Sequence, residues 1–343
     1  MTDLHFFKAE TLRQLGKNAL LKADVLEEVS EVVIDALIWT SLRGIDSHGI
    51  RLLPHYLSGV RAGRLNPKPI LSFEQTAAAT GRLDADNTFG HAAGAAAIDH
   101  AIDLAEDAGV GAVTVFNSSH CGALSYFAHA AAAKDMIGIV FTHATSRVKT
   151  PNSNRAFFGN NPICLVAPMQ DEEPFCFDAA TTSKSFNEIK HLAEMGKQIP
   201  LGIAADVYGN QTIDPSQATQ LLPIGDYKGF GLSMMVDILC GILSGMPTGN
   251  EVSEMFGDSM HQKRSLGHFF CALRIEAFRE IAQFKMDLQD LANRVRMEPA
   301  KSEEGLIQIP GDPEKSTARE RLVHGIPVEM HIFDSIAEEA NRC

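Results

Sequence analysis

The chain has 343 residues, of which 45% are hydrophobic and 21% charged, a globular composition that excludes disordered, collagen-like and coiled-coil architectures. At about 150 residues per domain, this length predicts two domains or one core with a helical appendage. Lys and Arg number 30 against 43 Asp and Glu, a net charge of −13, which argues against nucleic-acid binding and requires any anionic ligand to be captured by a few placed cations.

No apolar run approaches the ~18–20 residues of a membrane span. The segment Met1–Lys8 lacks a basic region followed by a long apolar core, so no secretory signal is expected and the cytoplasm is the predicted location. The six cysteines stand at 121, 164, 176, 240, 271 and 343, with no CxxC pair, and signal neither a disulfide framework nor a zinc ribbon. No metal is expected, and activity should survive EDTA.

In chain order, residues 7–42 read as two helices, the second presenting Val25, Val29, Val32, Val33, Ala36 and Leu37 on one face. Asp24 is its expected cap and Gly44 its end. A third helix is predicted from about Gly49 to Ala62, broken off by Asn66-Pro67-Lys68-Pro69. An Ala-rich helix follows over 91–107. A strand at 110–116, a helix from about Cys121 to Lys134 and a strand at 137–142 then predict a right-handed βαβ unit with parallel strands. Strands are expected at 163–167 and 174–178, a buried helix at 229–243, and further helices at 276–297 and 331–341. The predicted class is α/β, with helices from both ends of the chain flanking the core.

The familiar phosphate-binding and hydrolytic signatures are missing. Gly109-Val-Gly111 lacks the third glycine of a GxGxxG turn, and Gly196-Lys197 continues into Gln198 without the earlier glycine of a P-loop. HExxH and GxSxG are also absent.

Four segments could carry chemistry instead. In Ser47-His48-Gly49-Ile50-Arg51, a helix starting there would place His48 and Arg51 on one face. Arg51 could grip a carboxylate with two parallel hydrogen bonds, and His48 could pass a proton to a carbonyl oxygen. A capped helix with a surface histidine and arginine fits the same residues. Asn117-Ser118-Ser119-His120 lies between a strand end and a helix, where ligands gather in open α/β sheets; a histidine capping the turn is the alternative. Lys228-Gly229-Phe230-Gly231 opens a helix and offers a point charge to a phosphate, or is a loop with a solvated lysine. Phe177-Asp178-Ala-Ala-Thr181-Thr182-Ser183 ends a strand with hydroxyls, which hold ribose or phosphate, or cap a helix. His100 and His129 read as structural.

Together these segments resemble the type-2 malate/L-lactate dehydrogenase family, which includes ureidoglycolate, sulfolactate and diketogulonate-type enzymes. The resemblance spans about residues 8–342. It rests on Arg43–Arg51, Asp84–Gly90, Asn117–His120, Gly159-Asn-Asn-Pro162, Phe177–Thr182, Leu222–Gly231 and Pro310-Gly-Asp312, in that order. It implies a non-Rossmann α/β fold, a central mixed sheet with flanking N- and C-terminal helices. The implied organisation is a helical domain over 1–75 with the Ser47-His48-Gly49 motif, a central cofactor-binding domain over 76–275, and a C-terminal helical segment over 276–343 packing back on the first.

The implied reaction is hydride transfer between NAD, or NADP, and C2 of a small 2-hydroxy or 2-oxo acid, in a homodimer or higher homo-oligomer. Position by position, the resemblance implies His48 and His120 as proton-transferring residues and Ser47 and Arg51 as substrate-binding ones. Asp178, Thr181, Thr182, Lys228, Gly311 and Asp312 become cofactor contacts. A nearby arginine is expected to lower the histidine pKa until a bound carboxylate raises it.

The chain departs from the family pattern at His143-Ala144, at Asn152-Ser153-Asn154 and in Gly159-Asn160-Asn161-Pro162, and the larger side chains are expected to reshape the pocket. The stretch from Val252 to Gly267 is most like ureidoglycolate dehydrogenases and is expected at the periphery. The alternatives to a 2-oxo acid reductase are a cyclic imino acid reductase and an inactive cofactor-binding scaffold.

Overall fold

The computed structural model describes residues 4–256, 260–301 and 305–342. At its centre is a seven-stranded sheet. Its strand order is Ser72–Ala77, Thr80–Asp84, Val110–Ser118, Leu266–Arg274, Met136–Thr142, Ile163–Ala167, Phe175–Ala179. Thr80–Asp84 runs parallel to Val110–Ser118, and every other neighbouring pair in this sheet is antiparallel.

The βαβ expectation is half met. Val110–Ser118 and Met136–Thr142 run in the same direction, but Leu266–Arg274 is inserted antiparallel between them. That strand arrives some 130 residues after Met136 in sequence, and no local pattern announces it.

Helices Gly90–Ala108 and Leu124–Ala132 cover one face of the sheet. Their alanine content has a steric cause. Ala93, Ala97, Ala101 and Ala105 recur every fourth residue and are fully buried, which lets the helix backbone approach the strands closely. A Cβ at Gly111 would stand 2.0 Å from the Ala101 carbonyl oxygen, and one at Gly138 2.6 Å from that of Ala128. The larger gap between the two helices and the sheet is filled by Phe127 and Phe270, which meet edge to face at 5.6 Å.

A helical layer packs against this core. It joins Ala9–Lys22, Glu27–Leu42 and Leu53–Arg61 to the C-terminal Met330–Ala340. The antiparallel pair Leu4–Phe7 and Ile326–Glu329 ties the two ends of the chain together. A smaller five-stranded sheet runs through Gln211–Thr212, Ala204–Ala205, Gln220–Leu221, Val148–Lys149 and Ala156–Phe158. Helix Phe186–Glu194 packs on it through Ile189.

Four local expectations need correction. Asp24 does not cap the second helix: it sits at φ 63°, and Leu26 is the residue before the helix, with no side-chain cap. The third helix begins only at Leu53, after two three-residue turns at Asp46–His48 and Ile50–Leu52, because Gly49 is extended between them. The helix from Cys121 starts later, at Leu124. The segment 229–243 is helical, as Tyr227–Asp237 followed by a wider turn over Ile238–Ile242. It is not buried as expected, since Met234, Ile238, Ile242 and Leu243 are exposed along one side.

Because Phe127 touches both the helices and Phe270, Phe127→Ala should destabilise by about 3–5 kcal/mol. Urea unfolding should show this as a lower midpoint with an unchanged slope.

Candidate active site

The site forms where three central strands end together. Ser118 and Thr142 close two of them, and the strand between begins at Leu266, so the loops after 118 and 142 and the loop before 266 converge. His268 fastens this end. It is fully buried, with Nδ1 2.7 Å from Thr142 Oγ1 and Nε2 2.9 Å from Ser118 Oγ.

His120 follows Ser118 by two residues, and the Asp84–Gly90 motif sets its position. The Asp84 carboxylate accepts from Asp86 N and from Asn117 Nδ2, Asn87 N donates to Asn117 O, and a Cβ at Gly90 would meet Ser119 O at 2.3 Å. From the helical layer comes the turn Asp46–His48, clamped by Arg321. Arg321 bonds both Asp46 carboxylate oxygens, at 2.5 and 2.9 Å, and Ser41 O at 2.6 Å.

The two sequence-predicted histidines are thereby brought together, their rings 5.4 Å apart. Ser47 Oγ lies 2.8 Å from His48 Nδ1, and Tyr56 Oη lies 2.7 Å from His120 Nδ1. Both contacts leave Nε2 of each imidazole for another group. Burial lowers the His48 pKa, and burial first, then His48, His91 and Arg264, hold that of His120 well below its ordinary value. The expected nearby arginine does contribute at His120, where it is Arg264, but desolvation is the larger cause.

Arg51, three residues after His48, already has a counter-charge. Its Nε is 2.8 Å from Glu329 Oε2 in a poorly directed contact, so the two charges face each other without a proper hydrogen bond. Ile50 N, in the same segment, is not free for an anion, since it donates to Ser41 Oγ.

The expected cofactor contacts fall into three places. Asp178 and Gly311 line one cavity of about 360 Å³ with Trp39, Arg43, Ser125 and Glu314. Asp178 Oδ2 accepts from Ser125 N at 2.8 Å, and burial raises the pKa of its carboxyl. Gly311, at φ 98°, lies against the Cys176 backbone, 3.2 Å from where its Cβ would be. Thr181, Thr182 and Lys228 form a second group. Ile224 N donates to Thr181 O, Thr182 bridges to Pro223, and Lys228 is exposed in the first turn of the next helix. The Thr181 hydroxyl donates to Asn160 O and lies 2.7 Å from Ser233 Oγ. The Asp312 carboxylate is turned elsewhere, bonded to Arg296 at 2.6 and 2.9 Å.

Of the departures from the family pattern, two reach the site. His143 is buried, with Nε2 accepting from Gly267 N at 2.9 Å. Asn161 fixes the following loop by accepting from Ala144 N and donating to Ser233 O and Asp237 Oδ1. Residues 152–154 form an exposed to half-exposed turn of the small sheet.

Sequence reasoning missed three site residues. Tyr56 lies eight positions after His48, but the break at Gly49 hides the shared face. His91 is buried against Tyr56 at 5.2 Å, with neither ring nitrogen bonded. Arg264, assigned to the periphery, is 4% exposed at the sheet end. A motif search has no signal for any of them.

The sequence profile described as malate/L-lactate dehydrogenase matches residues 7–337. The chain belongs to the malate/L-lactate dehydrogenase family. Among curated members, the NAD(+) ureidoglycolate dehydrogenase of Escherichia coli O157:H7 is 31% identical over 331 residues, covering 96% of this chain and 95% of the relative. The malate dehydrogenase of Pyrococcus abyssi is 33% identical, covering 94% and 91%. Among solved structures, the sulfolactate dehydrogenase of Methanocaldococcus jannaschii superposes with a TM-score of 0.92 at 29% identity, covering 98% of each chain. Membership makes this protein an oxidoreductase acting on a CH–OH group, and its fold is the mixed α/β fold of that family.

Burial holds His91 and His143 down to pKa values of about 3 and His268 to about 4. The unfolded chain binds protons at these positions near pH 6.5, so stability should fall as pH drops below that value, by about 1.4 kcal/mol per pH unit for each histidine. Urea midpoints should hold from pH 7.5 to about 6.5 and decline from there to pH 4.5. A flat profile would mean that these imidazoles are not held neutral.

Proposed function

We propose that this protein transfers hydride between a nicotinamide cofactor, NAD in the first instance, and C2 of a small 2-hydroxy or 2-oxo acid. The single observation carrying this reading is the paired imidazoles of His48 and His120, each anchored through Nδ1.

The cavity beside Arg43 suits part of a dinucleotide. It is concave, Gly311 leaves its wall open where a Cβ would crowd Cys176, and the carboxylates of Asp178 and Glu314 can accept from ribose hydroxyls. Lys228, with Thr181 and Thr182 behind it, would meet a phosphate. Asp312 supports this wall through Arg296 rather than by touching the cofactor. When bound, the cofactor supplies or accepts the hydride at C2.

The residues of the chain do the rest. Arg51 holds the carboxylate of the acid, with Glu329 keeping the guanidinium in place. Ser47 fixes the His48 ring. The Tyr56 hydroxyl, held protonated because burial raises its pKa, can either donate to His120 Nδ1 or accept from it. In the second arrangement His120 Nε2 carries a lone pair and can take the hydroxyl proton of a 2-hydroxy acid. In the first it carries the hydrogen that a 2-oxo acid needs at its oxygen. His48 borders the same space and is the other candidate for this transfer.

His120→Ala or His48→Ala should cut kcat for a 2-oxo acid by about 10²–10⁴-fold, measured as loss of NADH absorbance against pyruvate, oxaloacetate, sulfopyruvate, oxalurate and a cyclic imino acid. Near-normal kcat in both variants would sink the proton-transfer assignment, and turnover of the imino acid alone would favour the imine reductase reading.

Because the site histidines are neutral below their ordinary value, kcat/KM for hydroxy acid oxidation should stay level as pH falls past about 6.5. An acid limb at or above that value would contradict the buried, neutral state.

A further inference from the structure

Arg264 is 4% exposed, and among the described residues its guanidinium has one protein bond, from Nη2 to Thr145 Oγ1 at 3.2 Å. Nε and Nη1 are both buried and without a partner. The carboxylate whose charge it feels, Glu254, is paired with Arg147 at 3.1 Å instead. Burial brings the Arg264 pKa down only to about 10, so it remains charged at neutral pH. A buried cation with two idle donors and no paired anion is costly, and such a group is normally compensated.

Its place in the fold says what could compensate it. Arg264 stands two residues before the strand Leu266–Arg274, at the sheet end where His120 and His143 emerge. Thr145, its one partner, belongs to the loop after Thr142. Its charge acts on Tyr56, His55, His120 and His143, so it borders the space these side chains enclose. Arg51, by contrast, already faces Glu329. The site therefore holds one cation with a protein counter-charge and one without.

We infer that Arg264 binds a second acidic group of the substrate, so that the preferred substrate is a 2-oxo or 2-hydroxy acid carrying an anionic group at its far end. The inference rests on the hydride-transfer reading for the reacting end only. Arg51 takes the carboxylate next to C2, and Arg264 receives the far group through Nε and Nη1, an arrangement that a planar carboxylate can satisfy with two hydrogen bonds. A monoacid leaves those donors dry and unbonded, which sets the discrimination.

The test combines kinetics with a binding readout that needs no hydride transfer. Oxaloacetate and pyruvate serve as diacid and monoacid, and malonate and acetate as unreactive probes titrated by calorimetry. In Arg264→Met, the ratio of kcat/KM for oxaloacetate over pyruvate should fall about 100-fold, in line with loss of a buried hydrogen-bonded charge contact. The preference for malonate over acetate should vanish with it. Arg264→Lys should keep part of both. The melting temperature of Arg264→Met without anion should be no lower than that of the parent protein, because the substitution removes an uncompensated buried charge.

Equal losses for both acids, or malonate binding unchanged by the substitution, would overturn the assignment. So would a lower melting temperature with malonate affinity retained, which would make Arg264 a structural cation. If malonate binding depends on Arg264 while no acid is reduced, the dehydrogenase reading falls and the anion site stands.

Discussion

The structure depends on gathering five imidazoles in one place, three of them fully buried and two, His48 and His120, half-buried. His48, His91, His120, His143 and His268 meet at the end of the central sheet, and none is bonded to a carboxylate among the described residues. With no anion to favour the charged form, desolvation decides, and all five are driven toward neutrality. A neutral imidazole anchored at Nδ1 can give or take a proton at Nε2 without a net charge stranded in the site beforehand. Arg264 sits among them as the buried charge they cannot compensate, which leaves that task to a ligand.

Long-range pairing makes this possible. His268 can bond the ends of two strands because its own strand is threaded between them, and Arg264 comes with it. Arg321, from near the C-terminus, clamps the turn that presents His48, and Glu329 faces Arg51. The chain thus returns twice to complete a site whose motifs lie in its first 120 residues, and the pairing of Leu4–Phe7 with Ile326–Glu329 holds the return in register.

This division explains what could be read from the sequence. His48 and His120, which the fold brings together, were legible because each lies in a short local motif next to a turn, and the Ala-rich helices were legible from their period. The inserted strand was not, since its pairing partners lie about 120–160 residues earlier. Tyr56 and Arg264 escaped for a related reason. Their significance comes from what faces them across the fold, a bond to His120 in one case and the lack of any counter-ion in the other. Asp312 is the reverse case, where local likeness to a ligand contact hid a bond to Arg296.

The central claim is that hydride moves to C2 beside the two imidazoles. The most direct measurement uses NADH carrying deuterium at C4 of the nicotinamide, with a 2-oxo acid as acceptor, and follows the product by NMR. The account predicts deuterium at C2 of a single enantiomer of the 2-hydroxy acid, with none exchanged into water. Deuterium retained on the cofactor while the acid is consumed, or product labelled elsewhere or in both configurations, would contradict it.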